Sequence, residues 1–394
     1  MNLLVINCGS SSIKFKLFTM PEANSCVAGQ LDGIGTAAGR FRFGVETAAK
    51  EVELYDATAD LPDHQQALTL LFSKLQQQPH RIEAVAHRVV HGGTAFSGAT
   101  LIDAATLPRI AALAPLAPLH NPINLLGIAA CSQFYPELPQ VAVFDTAFHQ
   151  TLPEVAYRYA IPEGWYRDYQ IRRYGFHGIS HAYVAAQAAD FLGLEGGGNL
   201  ITLHLGTGAS MAAIREGRCV DTSMGLTPLA GLVMGSRCGD IDPAIPYHLQ
   251  RVAGLSAAAV DAALNQQSGL RGLCGESDMR EIEVGVAAGN ATATLALQIY
   301  CYQIRKTIGA YFAVLGRVDA LIFTAGVGEN SAVVRQAVCA ELAVFGIALD
   351  AQRNLQCRGD IREIQSSTSR LPLLVIATDE ELAIARESHA LLAV

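Results

Sequence analysis

One strand–turn–strand unit occurs twice in this chain, and the two copies stand half the chain apart. The first is LLVINCGSSSIKFKLF, beginning at Leu3, and the second is LITLHLGTGASMAAIREG, beginning at Leu200. Each is an aliphatic strand, a Gly–Ser/Thr turn and a second strand, and Gly9 and Gly206 are separated by half of the 394 residues. A unit recurring at half the chain length predicts two related halves built on one plan. Chance likeness between two short turns is the alternative. The length allows two domains, each with a sizeable core, and 51% hydrophobic against 16% charged residues predicts well-buried globular structure.

Around the two units, helical and strand patterns alternate as in an α/β protein. RIEAVAHRVVHGG reads as a strand running into a loop, and NPINLLGIAACSQFY as a helix with Asn121 as N-cap and Pro122 in its first turn. QVAVFDTAFH is a buried strand ending at Asp145, and SHAYVAAQAADFLGL a helix capped by Ser180 and stopped by Gly193. Further on, LSAAAVDAALNQQ and ATATLALQIYCYQIRKTIGAYFAVLG are helical, the second with apolar residues on more than one face and so expected at the centre of a core. VDALIFTAGVGENS predicts a strand, a Gly-rich turn and a helix start. LPLLVIATDEELAIARESHALL predicts a strand, a turn at Thr378–Asp379 and a closing helix. Residues 24–65 carry the weakest pattern and read as the least structured part.

Composition excludes several classes of partner. A net charge of −8 leaves no electrostatic footprint for nucleic acid or an acidic membrane surface. No apolar run approaches the roughly 18 residues of a membrane span, and the N-terminus enters a strand without the basic region of a signal peptide. Nine cysteines (Cys8, Cys26, Cys131, Cys219, Cys238, Cys274, Cys301, Cys339 and Cys357) include no C-x-x-C pair. Scattered and odd in number, they read as reduced thiols of a cytoplasmic protein, most of them small core residues.

Four Gly-rich stretches read as turns after strands: NCGSSS, HLGTGAS, MGSRCGD and AGVGEN. Backbone amides in such turns converge on phosphate oxygens, and Ser and Thr add donors. None matches a P-loop or a dinucleotide fingerprint. One turn of this kind is more often only a tight turn; four together point to phosphate binding. Beside apolar strands stand Arg88, Asp145, His177 and Arg237. A buried-looking arginine is costly without an anion, and two of them with histidines suit a phosphoryl group in transfer. Internal Arg–Asp pairing is the plainer alternative for any one of them. His87/His91 and His177/His181 have an i, i+4 spacing known from zinc sites, but HRVVHGG is strand-like, and zinc is set aside. Asn7, Asp145, Asp240, Asp242, Asp379, Glu380 and Glu381, at strand ends and turns, suit a hard ion such as magnesium, which needs few protein ligands. Asp278 and Arg280 open a helical segment, as an N-cap with a surface charge or as a nucleotide contact.

Taken in order, INCGSSSIKF, HRVVHGG, PLAPLHNP, VFDTAFHQTLP, RRYGFHGISH, HLGTGAS, DTSMGLTPLAGLVMGSRCGDIDP, FTAGVGENS and TDEELAIA resemble the acetate kinases, from about Leu3 to about Arg386. They belong to the wider fold of acetate and sugar kinases, heat-shock ATPases and actin. The resemblance implies an α/β protein of two duplicated RNase H-like (actin-type ATPase) domains, residues 1–147 plus about 378–394 and residues 148–377, with an active-site cleft between them and a homodimeric assembly. It implies reversible transfer of the ATP γ-phosphoryl group to acetate, giving acetyl phosphate and ADP with Mg2+, Mn2+ being able to substitute.

Position by position, the resemblance places Asn7 and Glu380 as metal ligands, and Lys14, Ser10 and Ser12 along the phosphates. Arg88 matches the arginine that holds the substrate carboxylate, and Asp145 the essential aspartate. His177 and Arg237 match the pair stabilising the transferring phosphoryl, with His120 nearby in that role. The nucleotide-contacting segments are His204, Leu205, Gly206, Thr207 and Gly208; Asp278, Met279 and Arg280; and Gly326, Val327, Gly328, Glu329 and Asn330. Val90, Leu119, Phe176 and Pro228 match the pocket for the acetate methyl. Thr207 departs from the asparagine usual in this loop. A pyrophosphate-using relative also carries threonine there, so that donor stays open, although Gly326–Val327–Gly328 leaves room for an adenine. A branched Val90 favours acetate over propionate. The rivals are a sugar kinase or phosphatase of the same fold, and a non-catalytic nucleotide switch that would not need Arg88 and Asp145.

Overall fold

The computed structural model of the chain describes residues 1–46, 52–356 and 359–393; Cys357 lies outside the described residues. The chain divides into two compact units, Met1–Ala147 with Asp379–Val394, and Phe148–Thr378.

Among the described residues, the first unit carries an eight-stranded sheet: β1 (Asn2–Cys8), β2 (Ser12–Thr19), β3 (Asn24–Asp32), β4 (Arg40–Glu46), β5 (Val52–Thr58), β6 (Ala84–Val89), β7 (Thr100–Leu101) and β8 (Gln140–Phe144). Their order is β5-β4-β3-β2-β1-β6-β8-β7. β1 to β5 form an antiparallel meander, whereas β6 runs parallel to β1 and β8 parallel to β6. Alternation drives the meander: Ile13, Phe15 and Leu17 face the core while Lys14 and Lys16 face outward. The helix His64–Gln76, capped by Asp63, lays Leu68, Leu71 and Phe72 in the same core cluster as Phe15, Phe41 and Phe43. The helix Glu380–Leu392 packs on β1, β6 and β8.

The second unit repeats this plan. Its strands are β9 (Asn199–Leu205), β10 (Ala209–Arg215), β11 (Arg218–Thr222), β12 (Ala320–Thr324), β13 (Ile361–Glu363) and β14 (Leu373–Ile376), in the order β11-β10-β9-β12-β14-β13. The run β3-β2-β1-β6-β8 of the first unit and β11-β10-β9-β12-β14 of the second are the same: three antiparallel strands, then two parallel additions. The recurrence of the strand–turn–strand unit at half length is therefore a duplication of topology, the α/β architecture expected from the sequence.

Six local expectations are corrected. Residues 24–65 are not loose: β3, β4 and β5 lie within them, and Val27, Leu31, Phe41 and Phe43 are buried, a pattern broken up in sequence by small and polar residues. Asn121 is the first helical residue rather than the cap, because its side chain is committed to both backbone groups of His91. Ser180 lies inside the helix Gly178–Leu192, whose N-cap position is His177; its hydroxyl bonds His204 and Thr378 instead. MGSRCGD follows no strand and belongs to a long loop, and AGVGEN is a short helix, Ala325–Asn330, rather than an open turn. The 25-residue helix Ala291–Leu315 buries one stripe, including Ala293, Leu297, Tyr300, Ile304, Ile308 and Tyr311, and leaves Leu295, Tyr302 and Val314 exposed.

Candidate active site

In the first unit, the carboxyl ends of the parallel strands β1, β6 and β8 collect the polar residues, the place where open α/β sheets present ligand-binding groups. Asn7 and Lys14 are register partners in the β1–β2 hairpin, so their side chains leave the same face. The NCGSSS turn between them is pinned through its backbone. Asn124 Nδ2 donates to Cys8 O at 2.9 Å, His64 Nε2 to Gly9 O at 2.8 Å, and Gly9 N to Ser12 O at 2.8 Å. Ser10 stays exposed and Ser12 half-buried.

Arg88 donates from Nε to Asp145 Oδ1 at 2.8 Å, from Nη2 to Asp145 Oδ2 at 2.5 Å, and from Nη1 to Asn7 Oδ1 at 3.2 Å. Glu380 Oε2 stands 3.9 Å from Arg88 Nε. Burial works against the Arg88 charge, but Asp145 and Glu380 beside it hold its pKa above the ordinary value. The Glu380 carboxyl is raised, by burial first and with Arg88 opposing. Asn7, Arg88, Asp145 and Glu380 are thus brought together. Lys14 lies along a groove of about 620 Å³ that Lys16, Arg42 and Glu381 also line, and Lys16 is itself engaged by Asp379 at 2.9 Å. Val90 is buried, Leu119 is 53% exposed, and His120 heads the helix Asn121–Phe134.

Among the described residues, no group of three or more His, Cys, Asp or Glu is placed to hold a metal. Asn7 Oδ1 and the Glu380 carboxylate are hard oxygen donors, and two such ligands suit an ion that keeps its waters and leans on phosphates. The zinc-like spacings do not become sites. His87 is buried against Gln140 Oε1 at 2.8 Å, with its pKa lowered by burial to about 4, and both His177 and His181 bond Ser210.

In the second unit, His177 sits just before the helix Gly178–Leu192 in left-handed conformation (φ 56°), which is uncommon outside glycine. The chain before it is fixed by His149, whose Nε2 donates to Phe176 O at 2.9 Å. The His177 ring stacks on His204, with centroids 4.1 Å apart. Arg237 donates from Nη1 to Pro228 O at 2.6 Å, and burial lowers its pKa. The absence of a side chain at Gly208 makes room for this arginine: a Cβ there would stand 2.5 Å from Arg237 Nη2.

A cavity of about 680 Å³ lies in this unit, within the size range of small-molecule sites. Gly206, Thr207, Asp278, Met279, Arg280, Gly326, Val327 and Asn330 line it. Of the other expected nucleotide residues, Leu205 is buried in β9, His204 bonds Ser180, Gly208 packs on Arg237, and Gly328 is buried. Glu329 turns to the backbone, where its Oε1 accepts from Ala325 N at 2.9 Å and Thr378 N at 3.1 Å, tying β12 to the end of β14. Asp278 is both cap and lining: it accepts from Arg280 N at 3.0 Å and pairs with the Arg280 guanidinium. Sequence reasoning missed Gly235, Leu270, Ser277, Glu283, Tyr300 and Ser331, which also line the cavity. Glu283 follows Met279 by one helical turn, a signal that was available, and its carboxylate accepts from Ser331 Oγ. Tyr300 lies on a distant helix and nothing local marks it.

Known proteins resemble this chain over nearly its whole length. Residues 2–386 match the acetokinase family. The acetate kinase of Streptomyces coelicolor is 50% identical over 99% of this chain and 96% of its own. The crystal structure of Porphyromonas gingivalis acetate kinase superposes with a TM-score of 0.89 at 41% identity, covering 99% of both chains. That of a propionate kinase from Francisella tularensis does so with 0.92 at 43% identity, covering 98% of both. Matched over nearly its whole length by family and relatives alike, the chain belongs to the acetokinase family of carboxyl-directed phosphotransferases.

Proposed function

We propose that this acetate kinase uses Arg88, Asp145, His177 and Arg237 to transfer the ATP γ-phosphoryl group to acetate, with magnesium held by Asn7 and Glu380. The observation that carries the reading is the Arg88 geometry. Its Nε–Nη2 edge is filled by Asp145 and Nη1 gives one hydrogen to Asn7, which leaves one N–H on each of Nη1 and Nη2 for a second carboxylate, and arginine binds carboxylates bidentately. A carboxylate is already a nucleophile, so no proton has to be removed. One acetate oxygen attacks the γ-phosphorus, the bond to the ADP oxygen breaks, and the charge passes to ADP. The barrier is the approach of two anions, which Arg88, Lys14, His177 and Arg237 offset by position and charge, with His120 as a further candidate. The metal, when bound, neutralises phosphate oxygens.

The cavity lined by Thr207, Asp278, Arg280 and Gly326 takes the nucleoside part, which favours ATP over pyrophosphate because pyrophosphate has nothing to fill it. Acetate is favoured over propionate by Val90, which is branched and buried; the resemblance to the family assigns Leu119, Phe176 and Pro228 to the methyl as well. One methylene is worth about 1–3 kcal/mol, so propionate reacts more slowly rather than not at all.

A homodimer is supported by the exposed apolar side chains of Ile241, Ile245, Tyr247, Val252 and Leu255 on and around the helix Ala244–Ala253, which buries none of its residues. Free cysteines at the eight described positions fit a cytoplasmic setting. Acyl phosphate trapped as the hydroxamate tests the activity, with ATP or pyrophosphate as donor and acetate, propionate or butyrate as acceptor. The reading expects product with ATP, largest with acetate. Product only with pyrophosphate would overturn the donor assignment, and light scattering at a monomer mass the dimer.

A further inference from the structure

Behind His177 runs a chain of buried hydrogen bonds that the reaction as described does not use. His177 Nδ1 lies 2.9 Å from Ser210 Oγ, Ser210 Oγ lies 2.8 Å from His181 Nε2, and His181 Nδ1 lies 2.7 Å from Thr202 Oγ1. Ser210, His181 and Thr202 are fully buried. Burial, with His149 and His204 nearby, drives the His181 pKa well below the ordinary value, so His181 is neutral and carries one N–H. Ser210 has a single proton and faces an imidazole nitrogen on either side, so one of those nitrogens must donate to it.

Donation can run along these bonds in two directions, and only the first gives the Thr202 proton an acceptor. In the first, Thr202 donates to His181 Nδ1, His181 Nε2–H donates to Ser210, and Ser210 donates to His177 Nδ1; neutral His177 then carries its proton on Nε2. In the second, every bond is reversed, His177 donates from Nδ1 and the Thr202 proton loses its acceptor; neutral His177 therefore favours the first direction, and the second serves the imidazolium, which has a proton on Nε2 as well. We propose that Ser210 is a positioning residue that, through this reversible chain to His181 and Thr202, keeps His177 Nε2 a hydrogen-bond donor in both charge states. The proposal rests on His177 being the group that donates to the transferring phosphoryl, for which a donor at Nε2 is required and a bare lone pair would repel. The reversal needs His181 to exchange tautomers and the Ser210 and Thr202 hydroxyls to turn, with no ring leaving its place.

The groups facing this chain are His204, stacked on His177; His149, with its ring centroid 5.9 Å from that of His181; and Arg237, against Gly208 beside His177. Their titration is common to parent and variant, so the ratio of the two rates isolates Ser210. In Ser210→Ala, neutral His177 loses the partner that sets its tautomer, while the imidazolium has both protons and no choice to make. The expected result is a kcat lowered about tenfold near pH 8.5, recovering to within about twofold of the parent near pH 5.5. KM for ATP and acetate should stay within about twofold, and Ser210→Thr, which keeps a hydroxyl, should restore the high-pH rate. Ser210→Cys, close in shape but a weak donor, should give the same pH signature at smaller amplitude and serves if the alanine variant does not fold. A loss equal at every pH, or no loss, overturns the proposal. Retained turnover in His177→Ala would instead overturn the assignment of His177 itself.

Discussion

Arg88 and Asp145 are joined by two near-parallel hydrogen bonds, Nε to Oδ1 at 2.8 Å and Nη2 to Oδ2 at 2.5 Å, with the aspartate almost wholly buried. Such a pair is weak evidence for stability as a unit, yet removing one partner strands the other. Arg88→Ala should therefore lower stability by about 3–5 kcal/mol while abolishing acetate-dependent turnover. Arg88→Met combined with Asp145→Asn should recover much of the stability and none of the activity. Denaturant unfolding of the three chains checks this; a loss under about 1 kcal/mol in the single variant would contradict the pairing.

Gly208 separates stability from catalysis. Its missing Cβ makes room for Arg237 Nη2, the far end of a flexible side chain, so Gly208→Ala can be accommodated by moving the guanidinium rather than the backbone. Stability should change by less than about 1 kcal/mol, while kcat falls about tenfold to a hundredfold, since a misplacement of about 1 Å is costly in a transfer reaction. Unchanged kcat in a folded variant would remove Arg237 from the chemistry.

A side chain at Gly326 would extend into open space, and this glycine lines the cavity. Gly326→Gln should leave the melting temperature unchanged, raise KM for ATP at least about tenfold by filling the space, and leave KM for acetate alone. Parallel increases in both constants would argue against a nucleoside in this cavity.

His87 makes stability depend on pH. Its folded pKa is lowered by burial from 6.5 to about 4, so between these values the unfolded state binds the proton and the folded state does not. Stability from this group is complete above pH 6.5 and is lost as pH falls toward 4, at about 1.4 kcal/mol per unit. Near pH 5 the loss should be about 2 kcal/mol. His87→Gln should flatten that part of the profile in urea titrations, and a slope of opposite sign would show that His87 is charged when folded.

Much of the fold could be read in advance because its signals are local. Lys14 and Lys16 alternate with Ile13, Phe15 and Leu17, Gly193 stops a helix, and the turn at Gly9 recurs at Gly206. Asn121 and Ser180 were misassigned as caps for one reason: each has a partner far away in sequence, and a cap is inferred from neighbours alone. Residues 24–65 were underrated because β3 and β4 are held by pairing and by one buried face, not by strong propensity.

The amino-acid sequence by itself determined the duplicated α/β plan, the family, and which residue types carry the chemistry, since these follow from periodicity, turn residues and motifs a few positions long. Tertiary structure decided the rest. It set which edge of Arg88 is filled, which residues close the cavity behind Asp278, and what stands behind His177. Those relations join Arg88 to Asp145, Glu283 to Ser331, and His181 to Ser210, across 29 to 57 positions of chain. Hydrogen bonds act over about 3 Å and are directional, so partners so far apart in sequence are chosen only once the strands and helices that carry them have packed.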